Sequence, residues 1–399
     1  MLLTDWTADA DALLPETVAL RRAIHAEPEV GLHLPKTTAR IKAELAGLPL
    51  EFREGPSTTG LIAVLKGAAN GRTVLLRGDM DALPMTENTG LDYASQTDGA
   101  MHACGHDAHV AMLVGAAKVL CAKRDRLAGT VLFMFQPGEE GWHGARHMLD
   151  DGLIDPLPDA AFALHMSPNM QAGVFAGRAG PLLASSDKLR ITVQGRGGHA
   201  SMPHDALDPI PVACAIVGAI QTFITRNISV FDPAVVTFGR IEAGSTDNVI
   251  PAEAKMWGTL RTLSERTRDA MHAGLRTLVE HTALAYGATA EIDIETGFPV
   301  TVCDSRAAAF AQSTVQGVFG ADAWATMPTP MMGAEDFAYV LQRAPGAMMF
   351  LGAAPVATGW HSCCGLHSNR MVIDDAVLSR GVALHCALAE RYLAEGFAE

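Results

Sequence analysis

Apolar and polar positions along this chain follow two periods, and the places where one gives way to the other divide it. Apolar residues recur at helical spacing over Val18–Ala26 and Thr37–Leu45, and a longer apolar helix is expected over His109–Lys123. Between and after them, β-branched and aromatic runs read as buried strands at Gly60–Lys66, Thr73–Arg77, Thr130–Phe135 and Asp159–Leu164. Strands alternating with helices predict an α/β domain with a central, mostly parallel sheet. Two loops, Gly78–Pro84 and Gln136–Gly141, follow directly on such strands, where open α/β sheets bind ligands.

From about Asp187 the pattern changes. Asp187–Gln194 alternates strictly as a half-buried strand, Pro209–Ile228 is helical, and Ala234–Ile241 and Ala252–Thr262 are strands. Ser264–Tyr286 follows as a long helix with a serine in the capping position, and Ala288–Ile294 closes the set as a strand. The order β-α-β-β-α-β is that of a ferredoxin-like split unit. Helix and strand alternate again at Arg306–Phe319, Ala347–Leu351 and Asp375–Leu393. Residues 1–184 and 298–399 are therefore expected to form one domain, with residues 185–297 inserted into it as a second.

Composition narrows the function. With 49% hydrophobic and 19% charged residues in 399, the chain has apolar surface enough for ordered cores, and its length favours two of them. A net charge of −14 without any basic block repels phosphate backbones and anionic lipid, so neither nucleic acid nor a membrane is an expected partner. No uninterrupted apolar run approaches the roughly 20 residues of a membrane span, Pro211–Ile220 being too short. Asp5, Asp9 and Asp11 precede the first basic residue, unlike a secretory signal. The seven cysteines are odd in number and scattered, which fits reduced thiols and a cytoplasmic location.

Three loops carry candidate chemistry. Met101–His109 (MHACGHDAH) crowds His102, Cys104, His106, Asp107 and His109 into one turn ahead of an apolar helix. A thiolate and an imidazole two residues apart suit Zn²⁺, Mn²⁺, Co²⁺ or Ni²⁺ and do not suit Ca²⁺ or Mg²⁺. Spacing alone does not separate a catalytic site from a structural zinc site, or from one ligand among exposed histidines. In Phe133–Gly141 (FMFQPGEEG) a buried strand presents adjacent carboxylates. Beside a metal cluster these divide the labour, with Glu140 as ligand and Glu139 as the base that takes a proton from water, whose pKa a metal lowers to about 7. In Gly78–Pro84 (GDMDALP), Asp79 and Asp81 either both face a metal, or Asp81 orients a ligand histidine, the reading favoured here. His165 and His367, taken singly, read more readily as packed or exposed than as ligands.

Taken in order, GDMDALP, HACGHDAH, PGEEG, ALH, GRGGHAS, DNVIPAEA, GTLRT, GAEDF and LHS resemble the aminoacylase, hippurate hydrolase and auxin-conjugate amidohydrolase family over nearly the whole chain. The resemblance implies two divalent metal ions per subunit on Cys104, His106, Glu140, His165 and His367, with Glu139 as the water-activating base. It implies that the inserted domain serves as lid and dimerisation domain, giving a homodimer or homotetramer. His199 of GGHAS would stabilise the oxyanion, in related enzymes often from the partner subunit, while Asn248 and Arg261 would hold the substrate's carboxylate and carbonyl. The implied activity is hydrolysis of N-acyl amino acids. Trp142-His143 after PGEEG and Cys363-Cys364 before His367 depart from the usual wording and bear on acyl specificity. The alternatives are a dipeptidase or carboxypeptidase of the same superfamily, an aromatic-acyl amidase, a non-catalytic metal-binding protein, and a Cys-His hydrolase built on Cys104.

Overall fold

The computed structural model describes residues 6–355 and 364–398, which form two compact units. The first comprises residues up to Leu182, Val302–Thr329 and the chain from Asp336 onward; the second comprises Leu183–Thr301 and Pro330–Glu335.

The first unit is built on an eight-stranded sheet. Its order is Leu50–Glu54, Leu61–Lys66, Gly129–Gln136, Arg72–Asp79, Ala160–Ser167, Gly346–Gly352, Phe175–Gly177 and Trp324–Thr326. The four central strands, Gly129–Gln136 to Gly346–Gly352, run parallel. They are buried along nearly their whole length, which explains why they read as continuous apolar runs. The expected α/β class with a mostly parallel sheet is the class observed. Helices Thr7–Ala26, His106–Ala122 and Leu378–Glu395 pack against one another. The contact between the first two contains a buried ion pair, Arg21 Nε to Asp107 Oδ2 at 2.7 Å.

The second unit is a four-stranded antiparallel sheet in the order Ala234–Ala243, Glu253–Thr262, Asp187–Gln194 and Thr289–Glu295, with helices Pro209–Asn227 and Glu265–Ala285. This is the β-α-β-β-α-β unit predicted from the pattern. Leu189, Ile191 and Val193 point into its core while Lys188 and Arg190 stay outside, so the strict alternation reports a sheet covered on one face. The Ser264 hydroxyl accepts the Thr267 N–H at 3.1 Å, the expected helix cap. The segment 330–335, which no periodicity marked, joins this unit because the Ala184 N–H donates to the carbonyls of Met331 and Gly333 at 3.2 and 2.8 Å.

Helix Pro209–Asn227 lies where the pattern placed a helix. Its 19 residues are long and apolar enough to cross a membrane by length and composition, because helical structure runs well past the Pro211–Ile220 run. Val212, Ala213, Ile216 and Ile220 on this helix pack into the second unit's core.

Candidate metal centre

Three parallel strands end side by side, and the candidate residues stand at or just beyond those ends. Asp79 ends the strand Arg72–Asp79, Asp81 follows it, Glu139 and Glu140 follow Gln136, and His165 lies near the end of Ala160–Ser167. The turn before Glu139 needs glycine: Gly138 has φ +68°, and a Cβ there would lie 2.6 Å from Leu32 Cδ2. Gly105, at φ +88°, separates Cys104 from the helix that begins at His106, and a Cβ there would lie 3.1 Å from Met166 Cβ, next to His165. The helix starts three residues earlier than the pattern predicted, which places His106 and His109 one turn apart on one face.

Folding brings the five predicted ligands into overlapping groups. Cys104, His106 and His165 place donor atoms within 4.8 Å of one another, and so do Cys104, Glu140 and His367, with Cys104 common to both. His106, Glu139 and Glu140 form a further such group. Cys104 Sγ lies 3.5 Å from His165 Nε2, and His367 Nε2 lies 3.2 Å from Glu140 Oε1.

Hydrogen bonds fix which ring nitrogens carry lone pairs. His106 Nδ1 donates to the Asp81 carbonyl at 2.8 Å, and His165 Nδ1 donates to the Met166 carbonyl at 2.7 Å. In the neutral ring that a metal ligand requires, Nε2 is then the acceptor; burial disfavours charge on His106, but Asp79 and Cys104 overcome this and raise its pKa, so ligation there would displace a proton. His106 Nε2 is buried and interacts with Cys104, and Asp79 Oδ2 lies 3.4 Å from it. Burial and the neighbouring His109 hold His165 well below its ordinary pKa, keeping it a neutral donor. Hydrogen bonds to Cys104 and Glu140 push His367 up to about 10. A thiol, a carboxylate and imidazole lone pairs thus converge where a divalent cation satisfies all of them, and the set suits zinc, manganese, cobalt or nickel.

Asp81 organises this centre through two different groups. Its carbonyl orients His106, while its carboxylate accepts the N–H of Glu139 at 2.8 Å and of Glu140 at 3.0 Å. Asp79 lies against His109 and Arg77.

Residues 75–391, the stretch that carries every residue from Asp79 to His367, match peptidase family M20/M25/M40. This chain belongs to that family. It is an enzyme of the M20 hydrolases, and its relatives show the family's range. Thermostable carboxypeptidase 1 of Saccharolobus solfataricus is 37% identical over 94% of this chain and 95% of its own. N-acetylcysteine deacetylase of Bacillus subtilis is 36% identical over 86% and 90%, and IAA-amino acid hydrolase ILR1-like 4 of Arabidopsis thaliana 33% identical over 95% and 86%. The crystal structure of Bacillus subtilis YXEP, described as a dinuclear metal binding peptidase of the M20 family, matches with a TM-score of 0.83 at 32% identity, covering 96% of this chain and 99% of that one.

The remaining predicted residues of this M20 chain, His199, Asn248 and Arg261, all lie in the second unit. His199 is exposed on a two-residue strand paired with Val249–Ile250, and the Asn248 carbonyl accepts the Ala200 N–H at 3.1 Å. The Ser201 N–H donates to His199 Nδ1 at 3.1 Å, which puts the ring proton on Nε2. Arg261 is half-buried, and burial lowers its pKa while the charge of Asp187 raises it in part. Cys363 lies outside the described residues.

Sequence reasoning missed the groups behind the centre. Arg21 bonds Asp107, Tyr93 (2.9 Å) and Asp375 (3.1 Å), and His25 Nδ1 lies 2.8 Å from Asp107. Arg77 Nε donates to Gln136 at 2.8 Å, and Gln136 Nε2 donates to Asp336 Oδ1 at 2.6 Å. His102, crowded into the metal motif, is instead buried, its pKa lowered to about 3 by burial, and among the described residues it belongs to none of the donor groups. The one signal available was that Asp107, between His106 and His109, must face away from them on the helix.

Proposed function

We propose that this M20 enzyme hydrolyses the amide bond of N-acyl L-amino acids, releasing a carboxylate and the free amino acid. Cys104, His106, Glu140, His165 and His367 would hold two divalent ions, and the observation that carries this is the convergence of their donor atoms in two groups of three that share Cys104. Ions bound there would polarise the acyl carbonyl and acidify water. Glu139, its N–H held by Asp81, takes the proton of the attacking water. As the carbon–nitrogen bond breaks, the same carboxyl returns that proton to the departing amine.

In this reading the second unit serves the substrate. The exposed His199 Nε2–H, fixed as the donor by Ser201, supports a role in stabilising the oxygen that gains charge during attack. Arg261, a half-buried guanidinium, supports recognition of the amino acid's carboxylate by a two-pronged hydrogen bond, with Asn248 beside His199 holding the carbonyl. Self-association through this unit is part of the proposal and is measured by light scattering.

The 37% identity to a carboxypeptidase favours a second reading, cleavage of peptides from the C-terminus by the same chemistry. Apo-protein reconstituted with Mn²⁺, Zn²⁺ or Co²⁺ is assayed on N-acetyl, N-benzoyl and long-chain acyl amino acids and on dipeptides. Preferred release of amino acid from the acyl substrates supports the first reading, preferred peptide cleavage the second, and no release from any of them refutes both.

A further inference from the structure

We propose that His109 is a positioning residue of the metal centre: it binds no ion, and anchors the backbone at Met166 so that His165 presents Nε2 to the cluster. The inference rests on the metal reading above and assigns a role to a histidine which that reading leaves unused. His109 is a natural ligand candidate, since Asp79, His106 and His109 also bring donor atoms within 4.8 Å of one another.

Both ring nitrogens of His109 are already committed. The Met166 N–H donates to Nε2 at 2.8 Å. A backbone N–H only donates, so the lone pair is on Nε2 and the proton on Nδ1, which lies 2.5 Å from Asp79 Oδ1. Ligation through Nε2 would leave the Met166 N–H, in a fully buried residue, without an acceptor.

On its other side Met166 offers its carbonyl to His165 Nδ1 at 2.7 Å, and this directs His165 Nε2 to a point 3.5 Å from Cys104 Sγ. Both backbone polar groups of Met166 are therefore held by histidines. The His109 ring centre lies 4.7 Å from that of His165 and 5.4 Å from that of His106, so it fills the space between two proposed ligands. Asp79, which holds the Nδ1 side, is held in turn by Arg77 at 2.7 Å.

Two amides separate the two bonds. In His109→Gln the side-chain oxygen reaches the position of Nε2 and accepts the Met166 N–H. In His109→Asn the shorter amide replaces Nδ1, keeps a donor toward Asp79 and falls short of Met166. The test is Co²⁺ titration of apo-protein, full-length and folded by circular dichroism, followed in the visible d–d bands for wild type, His109→Ala, His109→Asn and His109→Gln.

Wild type and His109→Gln are expected to bind two ions with affinities within about threefold and the same spectrum, whereas the Ala and Asn variants bind about 10–100-fold more weakly with shifted bands. Unchanged affinity and spectrum in the Ala and Asn variants overturns the proposal. So does a Gln variant as weak as the Asn variant, or loss of one ion from every variant at saturating Co²⁺, which would make His109 a ligand. A wild-type chain that takes up no Co²⁺ overturns the metal reading itself, and this proposal with it.

Discussion

Asp81→Asn removes a charge where two backbone donors converge. One carboxylate oxygen accepts the Glu139 N–H at 2.8 Å, the other accepts the Glu140 N–H at 3.0 Å, and the side chain is buried. Asparagine keeps an oxygen for one donor and turns its amide against the other. A hydrogen bond to a charged acceptor contributes about 1.5–3 kcal/mol, and a buried donor left unpaired costs about 1–3 kcal/mol. One bond weakened and one donor orphaned gives about 3 kcal/mol in a turn that does not move. If the turn relaxes instead, Glu139 and Glu140 shift, and the loss falls on metal affinity or kcat/KM at about 10–100-fold. The assay pairs thermal unfolding of the apo-protein with Co²⁺ titration and kcat/KM on the best acyl substrate. The account requires a loss in at least one of the three. An Asp81→Asn variant equal to wild type in all of them would refute the idea that Asp81 holds the carboxylate turn.

Glu139→Gln should keep both ions and lose about 10²–10⁴-fold in kcat, because the base is gone while the ligands remain; loss of an ion on metal analysis would make Glu139 a ligand. His199→Ala should lower kcat by about 10²–10³-fold with metal content unchanged, and recovery of activity on mixing it with Glu139→Gln subunits would show that His199 serves a partner's site. Burial pushes the Asp107 carboxyl up, but Arg21 and His25 overcome this and hold it below the usual carboxylate range. Its stabilisation is therefore complete above the unfolded pKa of about 3.9 and is lost as pH falls toward the lower folded value. Asp107→Asn should cost about 3 kcal/mol at pH 7, the low end for a broken buried pair because Asp375 still faces Arg21. In urea unfolding the gap to wild type should narrow below about pH 4; a gap independent of pH would contradict the pairing.

The elements that were legible in the sequence are those whose burial follows one rule along their length. Asp187–Gln194 alternates because one face is covered, and the stretch 131–135 is apolar throughout because both are. Leu50–Glu54 escaped notice because Glu51, Arg53 and Glu54 fill a strand at the sheet edge, where charged side chains are tolerated and guard against further pairing. Phe175–Gly177 and Trp324–Thr326 are too short to show a period. In the site, residue type and clustering pointed to Cys104, His106, Glu139 and Glu140. The division between ligand and anchor among the histidines was not legible, since it turns on a backbone N–H at Met166, 57 positions from His109. The helical spacing over Val18–Ala26 gave no sign that Arg21 is buried against Asp107.

The central claim is that hydrolysis depends on two ions held by Cys104, His106, Glu140, His165 and His367. It is tested most directly by titrating chelator-treated protein with Mn²⁺ or Zn²⁺ while following amino acid release from an N-acyl amino acid and bound metal in the same samples. The account predicts negligible release from the apo-protein, rising to its full value as the second ion binds. Undiminished release from metal-free protein would contradict it and point instead to a thiol nucleophile at Cys104.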